Sequence, residues 1–158
     1  PGDIIGIHDP GIFNIGDTII TSRLLEGQFL NYNDIIRNEY KLKVKVNTRI
    51  LQEGLERASL LARGDKNNLI ILDIKENHMQ INSESEYGNV EENINIEFEG
   101  EDLKIGFNSK YLLDFLKVID SDKIKLNLIG KNNPCFITEV KEDNINDYIY
   151  MVLPVRIS

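Results

Sequence analysis

The sequence predicts an α+β domain made of two similar βαβββ units, with antiparallel sheets and both helices on one face. Two observations support this fold class. Residues 42–63 read as a strand, a polar stop and an amphipathic helix, and residues 103–119 have the same order. Asn47 and Asn108, the two polar stops, align at an offset of 61 residues. A repeat of this kind indicates one domain built by internal duplication.

Length and composition narrow the class of protein. The chain has 158 residues, of which 41% are hydrophobic and 28% charged. No apolar run approaches the ~20 residues of a membrane span. Residues 1–7 lack the basic start of a signal peptide, and a lone cysteine cannot form an internal disulfide. We therefore expect a cytoplasmic protein with one complete domain plus an extension, and Pro1 in place of Met indicates a fragment.

The charge is unevenly distributed. A net charge of −8 argues against nucleic acid, because phosphate binding depends on Lys and Arg. The predicted helices nevertheless carry more cations than carboxylates on their outward faces. A surface that faces nucleic acid is one interpretation, and a merely solvated helix face is the alternative. The cations concerned are Arg49, Arg57, Arg63, Lys110 and Lys117.

The chain divides into three predicted regions. Residues 1–25 contain a β-hairpin with β-branched arms around Ile15-Gly16-Asp17. Residues 26–40 form a connector whose large apolar side chains require something to pack against. Residues 41–158 form the complete domain.

The first unit follows the connector. Asn47 or Thr48 can cap its helix, and Gly64 sits just past the helix end. Asn77-His78 is a tight hairpin turn. Leu60 falls on the outward helix face. The predicted elements are strand 41–47, helix 48–63 and strands 69–76, 79–84 and 93–99. The predicted inward helix face is Ile50, Leu51, Gly54, Leu55, Ala58, Leu61 and Ala62.

The second unit repeats this order after a turn at Gly100. Its chain stays apolar through Pro154, Val155 and Ile157, where most chains fray. A terminal strand docked into the sheet would not explain these last apolar residues. The predicted elements are strand 103–107, helix 109–119 and strands 123–129, 135–140 and 148–153. The predicted apolar helix face is Tyr111, Leu112, Phe115, Leu116 and Ile119.

No catalytic motif is evident. The sequence lacks a Gly-rich phosphate loop, HExxH and CxxC. His8 beside Asp9 lies in a Gly/Pro turn, a poor place for a preorganised base, and Cys135 reads as a small buried hydrophobe. We expect a protein that is not an enzyme and needs no cofactor or metal. A solvated acidic loop, without the ligand spacing of a calcium loop, is predicted from Glu84, Glu86, Glu91 and Glu92.

Three segments resemble the bacterial DNA polymerase III beta subunit, the DNA sliding clamp. They are SRLLEGQFLNY at 22–32, IGFNSKYLLDFL at 105–116 and MVLPVRIS at 151–158. The resemblance covers residues 12–158. That family forms a ring of two subunits, each with three domains of this plan, which encircles duplex DNA. The resemblance implies that 41–158 is the C-terminal (third) domain and that 1–25 is the last hairpin of the middle domain.

The resemblance also implies three surfaces. The basic helix faces would line the pore and meet DNA phosphates without reading sequence. Leu60 and Leu61 would belong to the interface between subunits. Leu30 stands where the family usually has proline, and Ser158 extends the usual ending. A groove for partner peptides would be lined by Leu30, Ile35, Asn108, Tyr111, Met151, Val152, Leu153, Pro154, Val155 and Arg156.

The implied partners are proteins and DNA. The proteins are the replicative DNA polymerase alpha subunit, the clamp loader and other proteins that carry a clamp-binding motif. Double-stranded DNA would be bound non-specifically, and the full-length protein would be a homodimer whose ring this chain, lacking a first domain, cannot close. The alternative is a stand-alone β-rich interaction module that uses its apolar tail for an unrelated protein.

Overall fold

The computed structural model describes residues 39–62, 68–86, 88–140 and 149–157. Within these ranges the chain forms nine strands and two helices. The first unit comprises β1 (Leu42–Asn47), α1 (Thr48–Ala62), β2 (Leu69–Lys75), β3 (His78–Ser85), β4 (Gly88–Asn95) and β5 (Glu97–Gly100). The second comprises β6 (Leu103–Asn108), α2 (Ser109–Leu116), β7 (Lys123–Leu128), β8 (Cys135–Glu139) and β9 (Tyr150–Val152).

The strands form two antiparallel sheets that exchange their first strands. Sheet A has the order β5-β1-β7-β8-β9, and sheet B has the order β4-β3-β2-β6. Each sheet therefore combines the first strand of one unit with later strands of the other. Asn47 pairs with Lys123 in sheet A, and Asn108 pairs with Leu69 at the equivalent place in sheet B. The predicted α+β fold of two duplicated units is confirmed.

The two helix starts show the duplication at atomic detail. The Asn47 side-chain oxygen accepts from the backbone N–H of Ile50 at 3.0 Å, and that of Asn108 accepts from Lys110 at 2.9 Å. The Thr48 hydroxyl does not cap the helix but donates to the Ser121 carbonyl. Of the two predicted caps, Asn47 is therefore the one used, because its position leaves its side chain facing the orphan amides.

Removing either cap should lower stability by a similar amount. We expect Asn47→Ala and Asn108→Ala each to lower the free energy of unfolding by about 1 kcal/mol, since one helical N–H loses its acceptor. Urea denaturation measures the change, and Asn132→Ala, in an exposed turn, is the control. Equal midpoints for a cap variant and the control would contradict the assigned role.

The helices pack through narrower faces than predicted. In α1 the buried positions centre on Leu51, and in α2 they centre on Leu112. Ile50 and Tyr111 precede these centres by one residue, or about 100° around the helix, so they lie beyond the buried stripe. Ile50 is 49% exposed, so its predicted inward position was wrong, and Leu61, also predicted to face inward, is half-buried. Tyr111, predicted to lie on the apolar face of its helix, is 54% exposed. Leu60 is exposed, as predicted.

The strand predicted over 93–99 is in fact two strands in different sheets. β4 pairs with β3, whereas β5 pairs with β1, so the chain passes from sheet B to sheet A at the buried Ile96. Continuous alternation through this segment gave no sign of the change of partner. The helix predicted to reach 119 ends at Leu116, although Ile119 is still buried.

The predicted acidic loop was also wrong, since only Glu86 lies in a turn. Glu84 belongs to β3, and Glu91 and Glu92 belong to β4. Glutamate is depleted in strands generally, but β4 is an edge strand of sheet B and is solvent-exposed for much of its length, where charged side chains are common.

The remaining predictions concern the turn between β2 and β3, membrane spans, and residues outside the described ranges. The turn between β2 and β3 falls at Glu76-Asn77, one residue earlier than predicted, with Asn77 at a φ of 66°. Within the described ranges, neither helix has the length and apolar character needed to cross a membrane. The predicted hairpin of 1–25, the connector up to residue 38, Leu30, Ile35, Arg63 and Gly64 lie outside the described residues.

Candidate functional site

Tyr150 joins β9 to the start of α2. Its ring stacks on Phe115 with centroids 4.7 Å apart, and its hydroxyl donates to the Tyr111 carbonyl at 3.0 Å. Burial, with a smaller contribution from Asp114, raises the pKa of the Tyr150 phenol. The phenol is therefore protonated, and able to donate, throughout the neutral range. These two contacts hold the last strand of the chain beside the second helix.

Large apolar side chains are exposed at the start of α2, on β9 and at the residue that follows β9. Tyr111 is 54% exposed, Met151 is 43% exposed and Leu153 is 63% exposed. Val152, between the last two, is buried and pairs with Cys135 in sheet A. Strand alternation explains this difference, because successive side chains point to opposite faces. An exposed group of this kind is a common feature of surfaces that bind other proteins.

The C-terminal tail, residues 154–157, docks on sheet B. The Val155 N–H donates to the Gly106 carbonyl at 2.8 Å, which forms an isolated antiparallel bridge on edge strand β6. Pro154, Val155 and Ile157 are half-buried, and Arg156 is exposed. The tail thus leaves sheet A after β9 and reaches the other sheet. This second docking point accounts for the apolar residues that continue beyond the last strand.

The structure therefore brings most of the predicted groove residues to one region. Asn108 caps α2, Tyr111 follows in its first turn, and residues 151–156 run past the same end of the helix. Sequence reasoning missed Tyr150 and Gly106, which hold these parts together. A signal for Gly106 existed, because it replaces Lys45 of the first unit and interrupts the alternation of its strand.

The four predicted DNA-facing cations that lie within the described residues are exposed, but three of them have a carboxylate neighbour. Arg49 pairs with Glu53 at 2.8 Å, and Lys117 lies 4.0 Å from Asp114. Arg57 makes a two-pronged ion pair with Glu92, at 2.7 and 3.0 Å. This hydrogen-bonded pair raises the pKa of Arg57 and lowers the pKa of Glu92. Arg49 and Arg57 lie on α1, Lys117 caps the C-terminal end of α2, and the two helices contact each other.

The remaining candidates concern chemistry and the predicted interface between subunits. Cys135 is buried, and burial raises the pKa of its thiol, so it stays protonated and is not a nucleophile at neutral pH. Among the described residues, no three His, Cys, Asp or Glu side chains are grouped closely enough to hold a metal ion. Leu60 is 64% exposed near the end of α1, and Leu61 beside it is half-buried.

Comparisons with known proteins agree on one family. A family model described as the DNA polymerase III beta subunit, C-terminal domain, matches residues 33–156. The beta sliding clamp of Staphylococcus epidermidis is 36% identical over 156 residues, and that of Staphylococcus aureus is 33% identical. Each alignment covers 98% of this chain but only 41% of the relative. The chain thus spans about two fifths of the length of these relatives.

Solved structures give the same result. The DNA polymerase III beta subunit of Thermotoga maritima has a TM-score of 0.79 and 34% identity, over 86% of this chain and 36% of that chain. A sliding clamp from Pseudomonas aeruginosa, bound to griselimycin, has a TM-score of 0.76 and 28% identity over the same shares. Because the family model matches more than half of the chain, this chain belongs to the family of the DNA polymerase III beta subunit, the sliding clamp, and its residues 33–156 match the C-terminal domain of that family.

Proposed function

We propose that this chain is part of a DNA sliding clamp, a non-catalytic processivity factor that tethers the replicative DNA polymerase to DNA in the intact ring. We further propose that it binds short partner peptides at the start of α2 and along residues 151–156, which run from β9 through Leu153 into the tail; this is here called the α2–tail surface. The observation that carries this is the exposed apolar group of Tyr111, Met151 and Leu153, on and next to the elements joined by Tyr150.

The chemistry of the α2–tail surface suits a peptide with apolar anchors. Its large side chains lose contact with water when a partner covers them, at about 25 cal/mol per Å² of apolar area. Asn108 and Arg156 supply polar groups beside the apolar ones, which can orient a bound peptide. The proposed lining is Leu30, Ile35, Asn108, Tyr111, Met151, Val152, Leu153, Pro154, Val155 and Arg156.

The two helices supply the proposed DNA-facing surface. A net acidic chain repels DNA, whereas exposed cations on α1 and α2 attract phosphates locally and favour sliding over tight binding. Lys110 has no carboxylate partner among the described ion pairs, so none of these pairs offsets its attraction for a phosphate. The proposed residues are Arg49, Arg57, Arg63, Lys110 and Lys117.

The full-length protein is proposed to assemble as a homodimeric ring. Leu60 and Leu61, near the end of α1, would meet the other subunit, which gives the exposed Leu60 a function. The proposed partners are the polymerase alpha subunit, the clamp loader and other proteins with clamp-binding motifs, together with double-stranded DNA.

A peptide titration tests the α2–tail surface. A labelled clamp-binding peptide, of the short type with Gln and Leu or Phe, is titrated into the chain and followed by NMR. We expect shifts at Tyr111, Met151 and Leu153. Leu153→Asp should weaken binding by about tenfold or more, since a charge would be buried against apolar anchors.

Val118→Asp is the matched control, because Val118 is also an exposed apolar residue, 72% exposed, and lies past the opposite end of α2. Equal weakening by the two variants would contradict the assigned surface. No binding to the wild-type chain would favour the alternative of an unrelated interaction module.

A further inference from the structure

The tail occupies the place in sheet B that β5 occupies in sheet A. Lys45 of β1 pairs with Glu97 of β5, and at the equivalent position of the second unit Gly106 of β6 pairs with Val155. Both units therefore end by sending a segment to the other sheet. The internal duplication extends beyond the predicted βαβββ unit to include this last segment.

The two segments differ in how firmly they are held. β5 pairs with four residues of β1, and ion pairs join Lys43 to Glu99 at 3.1 Å and Lys45 to Glu97 at 3.5 Å. The tail forms a single bridge. Segments with few backbone hydrogen bonds open at lower free energy than the core, and binding segments are often of this kind.

Gly106 makes the tail's bridge possible because it has no side chain. A Cβ atom there would lie 2.8 Å from Ile157 Cγ2, 2.9 Å from the Val155 carbonyl oxygen and 3.1 Å from Leu69 Cδ1. Two of these neighbours belong to the tail, and the third is the end of a flexible side chain. A larger residue would therefore displace the tail before it disturbed the pairing of β6 with β2.

We infer that Gly106 is a positioning residue that anchors the C-terminal tail and thereby sets the affinity of the α2–tail surface for peptides. The inference rests on the proposed function for its second part only. The anchor has a readout of its own in the free chain, which is the hydrogen-exchange rate of the Val155 amide. Its bonded amide should exchange slowly only while the tail is docked.

Gly106→Val tests both parts. We expect the Val155 amide to exchange about tenfold faster or more, while amides of the β2–β6 ladder keep their protection. Peptide affinity should fall by about fivefold or more, because the tail is no longer held in place. Gly130→Ala is the control, since a Cβ there would meet only Asn133 Oδ1, at 3.4 Å.

A second pair of variants leaves the sequence of β6 unchanged. Val155→Pro removes the N–H that donates to Gly106, whereas Val155→Ala keeps it. Because Val155 belongs to the proposed lining, Val155→Ala measures the contribution of its side chain alone, and Val155→Pro should bind the peptide about fivefold more weakly than Val155→Ala. Equal affinities of the two Val155 variants would overturn the inference.

Two further outcomes separate the inference from the proposed function. Equal loss of protection at the Val155 amide and throughout the β2–β6 ladder in Gly106→Val would show a merely structural role and overturn the inference. If the wild-type chain binds no peptide, but the Val155 amide exchanges faster in Gly106→Val as expected, the proposed function is overturned and the anchoring role of Gly106 is supported.

Discussion

Replacing Gly100 with alanine is expected to lower the free energy of unfolding by about 3 kcal/mol or more. Gly100 has a φ of +131°, which side-chain-bearing residues rarely adopt. A Cβ atom there would lie 2.0 Å from the Lys41 carbonyl oxygen and 2.9 Å from Leu42 Cα. These neighbours are backbone atoms, and Leu42 pairs directly with Gly100, so relief of the clash requires β5 to leave β1.

Gly88→Ala is the matched control. Gly88 has a similar φ of +141°, but a Cβ atom there would meet nothing within 4 Å. It should cost only the backbone strain, about 1–2 kcal/mol. Urea denaturation of both variants therefore isolates the steric part as the difference. Equal losses of stability would show that β5 moves away from β1 freely, and that its pairing contributes little.

The fold was predictable because the duplication leaves a local pattern twice. Alternating strands, a polar cap and an amphipathic helix occur in the same order in both units, so each supports the interpretation of the other. Asn47 and Asn108 were visible as helix starts for this reason. The crossing at Ile96 was not predictable, because a strand that changes partners keeps its alternation and changes only the residues across from it.

The candidate site depends on contacts that carry little sequence signal. The Tyr150 hydroxyl donates to a backbone carbonyl 39 residues away, and any residue at position 111 would supply that carbonyl. The Arg57–Glu92 pair joins residues 35 apart, on a helix and an edge strand. Counting the charges of the sequence predicted a basic face on α1. It could not show that Glu92 partly neutralises Arg57, because that contact exists only when α1 packs on sheet B.

The resemblance supplied what local patterns could not. Met151 and Leu153 lie on either side of the buried Val152, as in any edge strand, and nothing in their spacing distinguishes a binding surface from a solvent-exposed face. Their grouping with Tyr111 was implied by the family motifs. The structure adds a physical cause for that grouping, namely the Tyr150 ring on Phe115.

Phe115→Ala should affect both stability and the proposed peptide binding. Phe115 is 3% exposed, and truncation of a buried phenylalanine costs about 3–5 kcal/mol. It also removes the ring on which Tyr150 stacks. Without that ring, Tyr150 keeps its hydrogen bond to Tyr111 but loses its stacking partner, and we expect peptide affinity to fall by about fivefold or more.

Ile74→Ala separates these two effects. Ile74 is fully buried in β2, opposite Leu103 and at the other end of that ladder from Asn108, and its truncation costs about 2–5 kcal/mol. Both variants are compared by urea denaturation and by peptide titration at a temperature where each is folded. Similar losses of stability with weaker peptide binding in Phe115→Ala alone would assign the effect to the Tyr150 contact. Equal affinities would mean that the α2–tail surface does not depend on the stacked rings, and its order would then come from the docking of the tail on Gly106.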